Sequence, residues 1–337
     1  MSPSTDDDAP STSTAPGGEL LLLDTASLYF RAFFGVPDSI KAPDGTPVNA
    51  VRGLLDMIAT LVTDRRPTRL VACWDEDWRP AFRVEAIPSY KAHRVAELVP
   101  GTTGVEEVPE KLVAQVPVIV DVLAALGIAR VGAAGYEADD VIGTLTAREV
   151  ARRAAAGAAP DPSGRAAVEV VTGDRDLFQL VDDAAGVRVL YPTKGVKNLD
   201  VVDQARLRER YGVATGAAYA DMAVLRGDPS DGLPGVPGIG EKTAVALLER
   251  YGDLAGVLAA RDAGDAGLTA TPRRRPTDAA PSREGAPLVA RGAPDAPLDD
   301  VDDALPTAPA DPDALAELGE RWGLGSSVQR LLDALRG

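Results

Sequence analysis

The stretch LLLLDTASLYFRAFF, residues 20–34, places an uninterrupted apolar run directly before an aspartate, Asp24. Three more short apolar runs follow along the chain: LVACW (70–74), VEVVT (168–172) and VRVLY (187–191). Between these runs lie longer stretches with helical periodicity, at 48–62, 110–127 and 139–156. Continuous apolar runs are typical of strands buried on both faces. Strands that alternate with helices predict an α/β fold with a mostly parallel, doubly wound central sheet flanked by helices.

The overall composition limits the kind of protein. A chain of 337 residues can form one large domain or two ordinary ones, and 45% hydrophobic and 26% charged residues are ordinary for a soluble protein. The single cysteine, Cys73, excludes internal disulfides, and with the single histidine, His93, it leaves too few ligands for a Cys/His zinc site. No run approaches the ~20 apolar residues of a membrane span, and the N-terminus has no signal-peptide pattern. We therefore expect a cytoplasmic protein without a membrane partner.

The net charge of −16 argues, taken alone, against nucleic acid, which proteins bind mainly through Lys and Arg. The positions of the acids change this interpretation. Some lie in tail-like segments, such as 6–8 and 294–315, whereas others are grouped within the predicted core. Grouped acids indicate bound cations.

Composition also divides the chain into segments. We expect residues 1–18 to be disordered because they are small and polar. The range 261–310 is rich in Pro, Ala, Gly and Asp and has no aromatic residue, so it too is predicted to be disordered. The remaining segments are an α/β core over 19–200, short helices with hairpin turns over 201–260, and an amphipathic helix within 311–337 that docks on the core.

Three predicted strands end at an aspartate. Asp24, Asp75 and Asp174 come after the runs at 20–23, 70–74 and 168–172. Ligands of open parallel sheets bind at the carboxyl ends of the strands, so we expect these three side chains to meet in one crevice. The alternative for each one is that it stops a strand or caps the next helix.

Further acids lie close to these three in the sequence. They are Glu137, Asp139 and Asp140 in GYEADDVIG, Asp176 in TGDRD, and Asp228 and Asp231 in GDPSD. The alternatives are helix-dipole complementation for the first group and a helix start for the last. Two carboxylates ~4 Å apart repel by ~4 kcal/mol at an effective dielectric of ~20. Hard divalent cations neutralise such a group, and Mg²⁺ or Mn²⁺ suits oxygen ligands. Two such ions form the clamp used in phosphodiester hydrolysis.

The stretch LPGVPGIGEKTAVALLERYG, residues 233–252, has the glycine spacing of a P-loop, but Glu241 stands where the lysine belongs. A helix-hairpin-helix fits better, because its tight turn and helix N-terminus present amides to a nucleic-acid phosphate without reading sequence. The alternative is a glycine-rich connector. The predicted contacts are Gly235, Gly238, Gly240, Lys242 and Thr243.

The stretch WDEDWRPAFRVEAIPSYKAHR, residues 74–94, interleaves basic and aromatic side chains. This pattern suits phosphates and stacked bases, although a solvated loop with aromatics in the core is the alternative. Arg31, near the expected crevice, is a further DNA-contact candidate. In the 74–94 stretch we predict DNA contacts at Arg79 and Tyr90 and catalytic side chains at Arg83, Lys91 and Arg94.

Five stretches together, in this order, resemble the 5′ nucleases of the flap endonuclease family. They are LLLDTASLYFRAFF (21–34), FRVEAIPSYKAHR (82–94), GYEADDVIGTL (135–145), VVTGDRDLFQLV (170–181) and RGDPSDGLPGVPGIGEKTA (226–244). The resemblance covers roughly 20–260 and is strongest to the N-terminal 5′→3′ exonuclease domain of bacterial DNA polymerase I and its stand-alone relatives. It implies a PIN-like nuclease core, a helical arch around 79–112 and a helix-hairpin-helix.

The resemblance also implies roles for individual residues. One divalent ion is held chiefly by residues that match Asp24, Asp75 and Asp139. The other is held by those that match Asp174, Asp176 and Asp231, while Glu137, Asp140 and Asp228 act directly or through water. Lys91 and Arg94 match basic residues that contact the scissile phosphate and the threaded 5′ strand, and the hairpin often carries a monovalent cation, K⁺. Gly232 departs from the pattern, where asparagine is usual.

We therefore predict a metal-dependent 5′→3′ exonuclease and structure-specific 5′-flap endonuclease that hydrolyses DNA and RNA primers by a two-metal mechanism. Its expected tasks are lagging-strand maturation in DNA replication and DNA repair, in the nucleoid. Its expected partners are DNA with 5′ flaps, nicks or junctions, RNA-primed DNA, and a DNA polymerase in trans. The alternatives are a non-catalytic DNA-junction-binding protein and a PIN-type RNase.

Overall fold

The computed structural model describes residues 18–97, 102–265, 268 and 285–337. The predicted disorder of residues 1–17, and of 266, 267 and 269–284, lies outside these residues. Within them, no helix combines the length and the apolar character needed to cross a bilayer.

Eight strands form two sheets in the described residues. The strands are β1 (Leu20–Asp24), β2 (Arg69–Cys73), β3 (Val95–Glu97), β4 (Val105–Glu106), β5 (Ala129–Val131), β6 (Val168–Val171), β7 (Val187–Pro192) and β8 (Leu199–Val202). The large sheet has the order β5-β2-β1-β6-β7-β8, and β3 pairs with β4 in a separate ribbon. All neighbours in the large sheet are parallel except β7 and β8, which are antiparallel. The predicted mostly parallel sheet is confirmed, and β8 is an edge strand that the sequence did not reveal.

Thirteen α-helices accompany the strands in the same residues. They are α1 (Thr25–Gly35), α2 (Asn49–Arg65), α3 (Ala81–Ala86), α4 (Glu110–Val113), α5 (Val116–Leu126), α6 (Ala138–Ala155), α7 (Gln204–Tyr211), α8 (Gly216–Arg226), α9 (Glu241–Tyr251), α10 (Leu254–Asp262), α11 (Gly285–Ala290), α12 (Pro312–Arg321) and α13 (Gly325–Leu335).

The core lies in two layers, one on each face of the large sheet. In β1, Leu20 and Leu22 pack into one layer with α6, α8 and α9, and Leu21 and Leu23 pack into the other with α2, α5, α12 and α13. Successive strand residues point to opposite faces, and all four leucines are essentially inaccessible to solvent. The run of four leucines is therefore the sequence of a strand covered on both sides.

Two predicted helical regions differ in the structure. The helix predicted over 110–127 is interrupted between α4 and α5, because Pro117 has no N–H to donate to the carbonyl of Val113. The described part of the predicted helical arch, 79–97 and 102–112, contains only α3, a 3-10 turn at Ala92–Arg94, the β3–β4 ribbon and the start of α4. Helix α3 ends at Ala86 because Pro88 disfavours helical geometry in the residue before it, and Ile87 is extended.

The prediction of disorder over 261–310 is wrong for its described part. Ala296 and Leu298 are buried in the core, and Asp303 lies against β2, where its carbonyl accepts a hydrogen bond from Leu70 N at 2.9 Å. The Asp303 carboxylate also binds the Arg69 guanidinium at 2.6 Å. These contacts join residues more than 200 positions apart. Local composition therefore gave no sign of them.

The C-terminal segment forms two helices, α12 and α13, where one was predicted. They are separated at Gly323, whose φ of +63° is a left-handed conformation that glycine adopts readily. Helix α13 packs on α2 and α12 packs on α5. Leu331 of α13 has no exposed surface and belongs to the layer formed by α2 and α5.

We expect Leu331→Ala to lower the free energy of unfolding by about 2–5 kcal/mol, because it removes buried methyl groups and leaves a cavity. Chemical denaturation measures this change. The matched control is Gln329→Ala on the exposed face of the same helix, which should change the free energy by less than about 0.5 kcal/mol. Equal effects of the two substitutions would contradict the packing described for α13.

Candidate functional site

A cleft of about 700 Å³ opens at the carboxyl ends of β1, β2 and β6. Its lining includes seven of the nine acids singled out in the sequence, together with Lys91 and Arg94. The seven acids are Asp24, Asp75, Glu137, Asp139, Asp174, Asp176 and Asp228. The expectation that acids at several strand ends share one crevice is therefore met by the geometry of the parallel sheet.

Asp24 ends β1 and caps α1. One carboxylate oxygen accepts from Ser27 N at 3.1 Å, and the other accepts from Thr172 Oγ1 at 2.6 Å. Capping is thus one role of this residue, but it does not remove the electrostatic cost. Burial and then the charge of Asp75 raise the pKa of Asp24 to about 7.

Asp75 lies two residues beyond β2 and accepts a hydrogen bond from Ala138 N, at the start of α6, at 2.8 Å. Burial and, to a smaller extent, the charge of Glu137 raise the pKa of Asp75 to about 6, whereas this hydrogen bond lowers it. The amide of α6 therefore fixes the direction of the carboxylate without fully neutralising it.

The pKa values of Asp139, Asp174 and Asp176 are all raised. Burial is the largest cause for each, and the leading repulsions come from Asp174 on Asp139, from Asp231 on Asp174, and from Asp174 on Asp176. The loop is nevertheless ordered by its own hydrogen bonds, since Asp174 N donates to Thr172 Oγ1 at 2.8 Å and Asp176 N donates to Asp174 Oδ1 at 2.9 Å. This arrangement holds negative charges together at an energetic cost.

Glu137 and Asp140 form a capping box at the start of α6 and share one buried cation, Arg83. Arg83 donates to Glu137 Oε2 at 2.6 Å and to both oxygens of Asp140 at 2.6 and 3.0 Å. Glu137 also accepts from Lys91 Nζ at 2.8 Å and from Tyr90 Oη at 2.7 Å. Asp140 has no exposed surface and does not line the cleft.

The loop that carries Lys91 is clipped to the turn before the hairpin. Lys91 N donates to Asp231 O at 2.9 Å, Ser89 Oγ donates to Gly232 O at 2.8 Å, and the Arg94 guanidinium lies 3.6 Å from the Asp231 carboxylate. Lys91 has a φ of +46°, a left-handed conformation that is uncommon and strained outside glycine. The predicted phosphate contacts Lys91 and Arg94 thus lie beside the predicted ligands Glu137 and Asp231.

The glycine at 232 has a structural reason. Its φ is +68°, and a Cβ there would lie 2.2 Å from Ser89 O. Asparagine tolerates a left-handed φ, but its Cβ cannot fit at that distance. The departure from the family pattern accommodates the close approach of the two loops.

In the described residues, no three His, Cys, Asp or Glu side chains are already close enough together to hold a metal ion. The candidate ligands in the cleft are nevertheless carboxylates. Burial raises the pKa of six of them: Asp24, Asp75, Glu137, Asp139, Asp174 and Asp176. Magnesium usually keeps several water ligands and needs only one or two carboxylates from the protein. The donor chemistry therefore fits a hydrated divalent cation.

The predicted hairpin lies between α8 and α9, which pack against each other. Gly235 approaches the backbone closely, since a Cβ there would lie 2.1 Å from Arg226 O, and Gly238 has a φ of +86°. Gly240 is the N-cap of α9, and Lys242 and Thr243 are exposed in its first turn. The first amides of a helix have no intrahelical partner, so this end of α9 offers donors to an anion.

Three basic or aromatic candidates lie inside the protein: Arg79 and Tyr90, which were predicted to contact DNA, and Arg83, which was predicted to be catalytic. Arg79 is 6% exposed, and its guanidinium donates to the carbonyls of Tyr90, Thr103 and Pro88. Tyr90 is 2% exposed and bonds Glu137, and Arg83 is 2% exposed and bonds the acids. Arg31 is half-buried beside Gly173, at the edge of the β6 loop. The basic and aromatic pattern of residues 74–94 therefore includes buried side chains whose hydrogen bonds stabilise this loop.

The sequence interpretation missed several residues at the site. Thr172 bonds both Asp24 and Asp174 N, and its position directly before Gly-Asp at a strand end was the available signal. Other lining residues were not singled out, although most of them lie within stretches quoted for their acids or strands. They are Tyr29, Arg175, Tyr191, Tyr211 and Arg226.

Comparison with known proteins gives two family matches. The description "5'-3' exonuclease, N-terminal resolvase-like domain" matches residues 19–212, and "5'-3' exonuclease, C-terminal SAM fold" matches residues 214–284. The first match alone covers more than half of the chain.

Two relatives match over nearly their whole length. A 5'-3' exonuclease of Streptomyces coelicolor is 65% identical over 315 residues, which cover 94% of this chain and 99% of the relative. A 5'-3' exonuclease of Mycobacterium tuberculosis is 52% identical over 323 residues, which cover 94% of this chain and 97% of the relative. The DNA polymerase I of M. tuberculosis is 37% identical over 96% of this chain, but the match covers only 33% of the polymerase.

Solved structures share the fold at low sequence identity. The T5 D15 protein co-crystallised with metal ions has a TM-score of 0.54 at 15% identity, covering 94% of this chain and 96% of that one. The catalytic core of Rad2 in complex with DNA substrate has a TM-score of 0.57 at 14% identity, covering 98% and 96%. The sequence matches and the shared fold lead to one conclusion: this chain belongs to the 5′-3′ exonuclease family, whose members are nucleases.

Proposed function

We propose that this protein is a divalent-metal-dependent 5′ nuclease that hydrolyses phosphodiester bonds at single-strand/duplex junctions. The observation that supports it most is the excess of acids over cations in the cleft lining, where ten acids, among them seven of the predicted metal ligands, meet four cations: Lys91, Arg94, Arg175 and Arg226. Such an excess of buried negative charge is costly unless it is neutralised, and a phosphodiester alone would add to it.

Two divalent cations, Mg²⁺ or Mn²⁺, would be held by the cleft acids together with Asp231, whose carboxylate lies 3.6 Å from the Arg94 guanidinium. In this proposal one is held chiefly by Asp24, Asp75 and Asp139, and the other by Asp174, Asp176 and Asp231. Glu137, Asp140 and Asp228 would contribute directly or through water. When bound, such ions stabilise the attacking and leaving oxygens of a phosphodiester.

The chain's own groups prepare the site for that chemistry. Hydrogen bonds from Ser27, Thr172 and Ala138 orient the carboxylates of Asp24 and Asp75. Lys91 and Arg94, half-buried at the edge of the cleft, supply fixed positive charge for the developing charge of the scissile phosphate. Arg83 is buried behind them and serves as a counterion that positions Glu137 and Asp140.

The hairpin at 235–243 would hold the duplex. Backbone amides at the start of α9 and the exposed Lys242 and Thr243 suit a phosphate, and K⁺ held at the turn would add positive charge for the DNA backbone. Grip on the backbone without base contacts fits recognition of DNA shape rather than sequence.

The proposed substrates are 5′ flaps, nicks and RNA-primed DNA, in lagging-strand maturation and DNA repair. The match to the M. tuberculosis DNA polymerase I covers 96% of this chain and 33% of the polymerase. A nuclease segment joined to a polymerase in that relative supports a task linked to DNA synthesis. We propose that a polymerase acts with this chain in trans, in the nucleoid.

A labelled 5′-flap duplex tests the function directly. With Mg²⁺ we expect cleavage at the junction, which EDTA abolishes, and Asp174→Asn should reduce it by more than about 100-fold, since even residues that only support metal ligands cost about 10–100-fold. The control is the matched RNA flap. Binding without metal-dependent cleavage would support a non-catalytic junction-binding protein instead, and preference for RNA would support a PIN-type RNase.

Neutralising one acid should stabilise the metal-free protein. We expect Asp139→Asn in EDTA at alkaline pH to raise the free energy of unfolding by about 1 kcal/mol, because burial and neighbouring charges raise the pKa of Asp139 and its ionised form opposes folding. As the pH falls below that raised pKa the gain shrinks, and it is lost below the ordinary pKa of 3.8, where the carboxyl is neutral in the folded and the unfolded chain alike. Thermal melts at several pH values measure it. A variant less stable than wild type at every pH would contradict the repulsion inferred here.

Lys91 and Lys242 should affect different kinetic constants. Lys91→Ala should lower kcat by about 100–1,000-fold, because it removes charge that stabilises the transition state. Lys242→Ala should weaken DNA binding and reduce the salt dependence of log Kd by about 1, with kcat at saturation unchanged. Steady-state kinetics and binding titrations separate the two. A loss of kcat in both variants would overturn the division between the cleft and the hairpin.

A further inference from the structure

A segment without a sequence motif of its own runs behind the acid cluster. We call residues 291–298, which follow α11, the strap. Ala293 N donates to Asp140 Oδ1 at 2.7 Å, on the carboxylate that also binds Arg83. Thr144 of α6 bonds the strap twice, donating to Ala293 O at 3.0 Å and accepting from Ala296 N at 2.9 Å. The strap is therefore fixed to the first turns of α6, which carry Asp139 and Asp140.

The strap also reaches the loop that carries the second group of acids. Gly292 N donates to Gln179 Oε1 at 3.2 Å. Gln179 Nε2 in turn donates to Ala290 O at 3.1 Å and to Asp176 O at 2.8 Å. One side chain thus joins the strap to the backbone of Asp176.

A third contact joins the strap to the helices around the hairpin. Arg291 Nη2 lies 2.6 Å from Oδ1 of Asp221, a buried acid of α8. The other oxygen of Asp221 accepts from Leu254 N at 3.0 Å, at the start of α10. The Arg291 carbonyl is 3.5 Å from the Arg83 guanidinium. Arg291 therefore connects the hairpin region to the buried cation behind the acids.

The strap lies against α6 with little free space. A Cβ at Gly292 would lie 3.0 Å from Asp139 O, and a Cβ at Gly143 would lie 3.1 Å from Ala293 O. Because the two backbones are in close contact, a displacement of the strap should be transmitted to α6.

We propose that the strap sets the distance between the acid cluster and the duplex-holding hairpin, and that Arg291 is a positioning residue that determines which phosphodiester is cut. The inference rests on the proposed nuclease function. It follows from the three contacts, because the strap joins both acid groups to α8, the helix that leads into the hairpin.

The hairpin region has a second tie to the core, on the cleft side. There, Ser89 and Lys91 bond the backbone of Gly232 and Asp231. Because α8 is also packed in the core, these polar contacts adjust the orientation of the hairpin region and do not attach it on their own. Without Arg291, α8 stays packed in the core but loses the ion pair that aligns it with the strap. The DNA held by the hairpin should therefore shift slightly relative to the acids.

The test uses the full chain and a 5′-flap duplex, with product lengths resolved at single-nucleotide precision. Wild type should give one dominant product. Arg291→Ala should distribute cuts over adjacent positions and lower kcat by up to about 100-fold, since a misplacement of about 1 Å can cost that much. Arg291→Lys, which keeps a cation for Asp221, should restore the single product. A merely destabilised protein would lose activity without moving the cut.

The matched control is Arg330→Ala, which removes another half-exposed arginine that ties a C-terminal segment to a core helix, through Asp56 on α2. It should leave the cut position and kcat unchanged. Amide hydrogen exchange gives an activity-independent measurement: Arg291→Ala should increase exchange in α8 and at 140–144. If Arg291→Ala does not fold, Arg291→Gln is measured in the same two ways.

The outcomes separate the two claims. A wild-type protein that cuts at one position, with an Arg291→Ala variant that cuts at the same position at the same rate, overturns the inference and leaves the nuclease function standing. A wild-type protein that cuts nothing overturns the function, and the exchange measurement then decides on the tie alone.

Discussion

Repulsion among carboxylates at one edge of a parallel sheet is the constraint on which this structure depends. The sheet brings Asp24, Asp75 and the 174–176 loop together because its strands run in the same direction. Burial raises the pKa of Asp24 to about 7 and that of Asp75 to about 6, so their charged forms oppose folding. The protein compensates in part with backbone amides and with the buried Arg83. The negative charge that remains uncompensated is available to bind cations.

The surrounding elements can be understood as supports for that cluster. The capping box at the start of α6 directs Glu137 and Asp140 toward Arg83, and the strap adds an amide to Asp140. On the cleft side, Lys91 adopts a strained backbone conformation to reach Glu137, and Gly232 permits two loops to touch. Strain and close approach gather where charges must be held in place. The same contacts join the sheet to the hairpin, so charge placement and DNA placement are mechanically connected.

Much of this arrangement was predictable from the sequence, and the rest depends on long-range contacts. Apolar runs that end in aspartate predicted the central strands and the crevice, because strand direction alone decides where such side chains meet. The sequence did not reveal the edge strand β8. It also did not reveal that residues 291–310 are folded, because they pack through contacts with residues far away in the chain, such as the ion pair of Asp303 with Arg69. Arg79 and Tyr90 have the composition of a binding patch, yet their carbonyl and carboxylate partners keep them inside. The sequence shows the type of each residue, whereas the tertiary structure decides whether its side chain faces the solvent or the protein interior.

Isothermal titration calorimetry of the full chain with Mg²⁺ or Mn²⁺ tests the central claim most directly. If the acid cluster is stable only because cations neutralise it, two ions should bind per chain, protons should be released in buffers near neutral pH, and the unfolding temperature should rise as the sites fill. Absence of binding heat, together with an unfolding temperature that does not respond to saturating metal, would contradict the account.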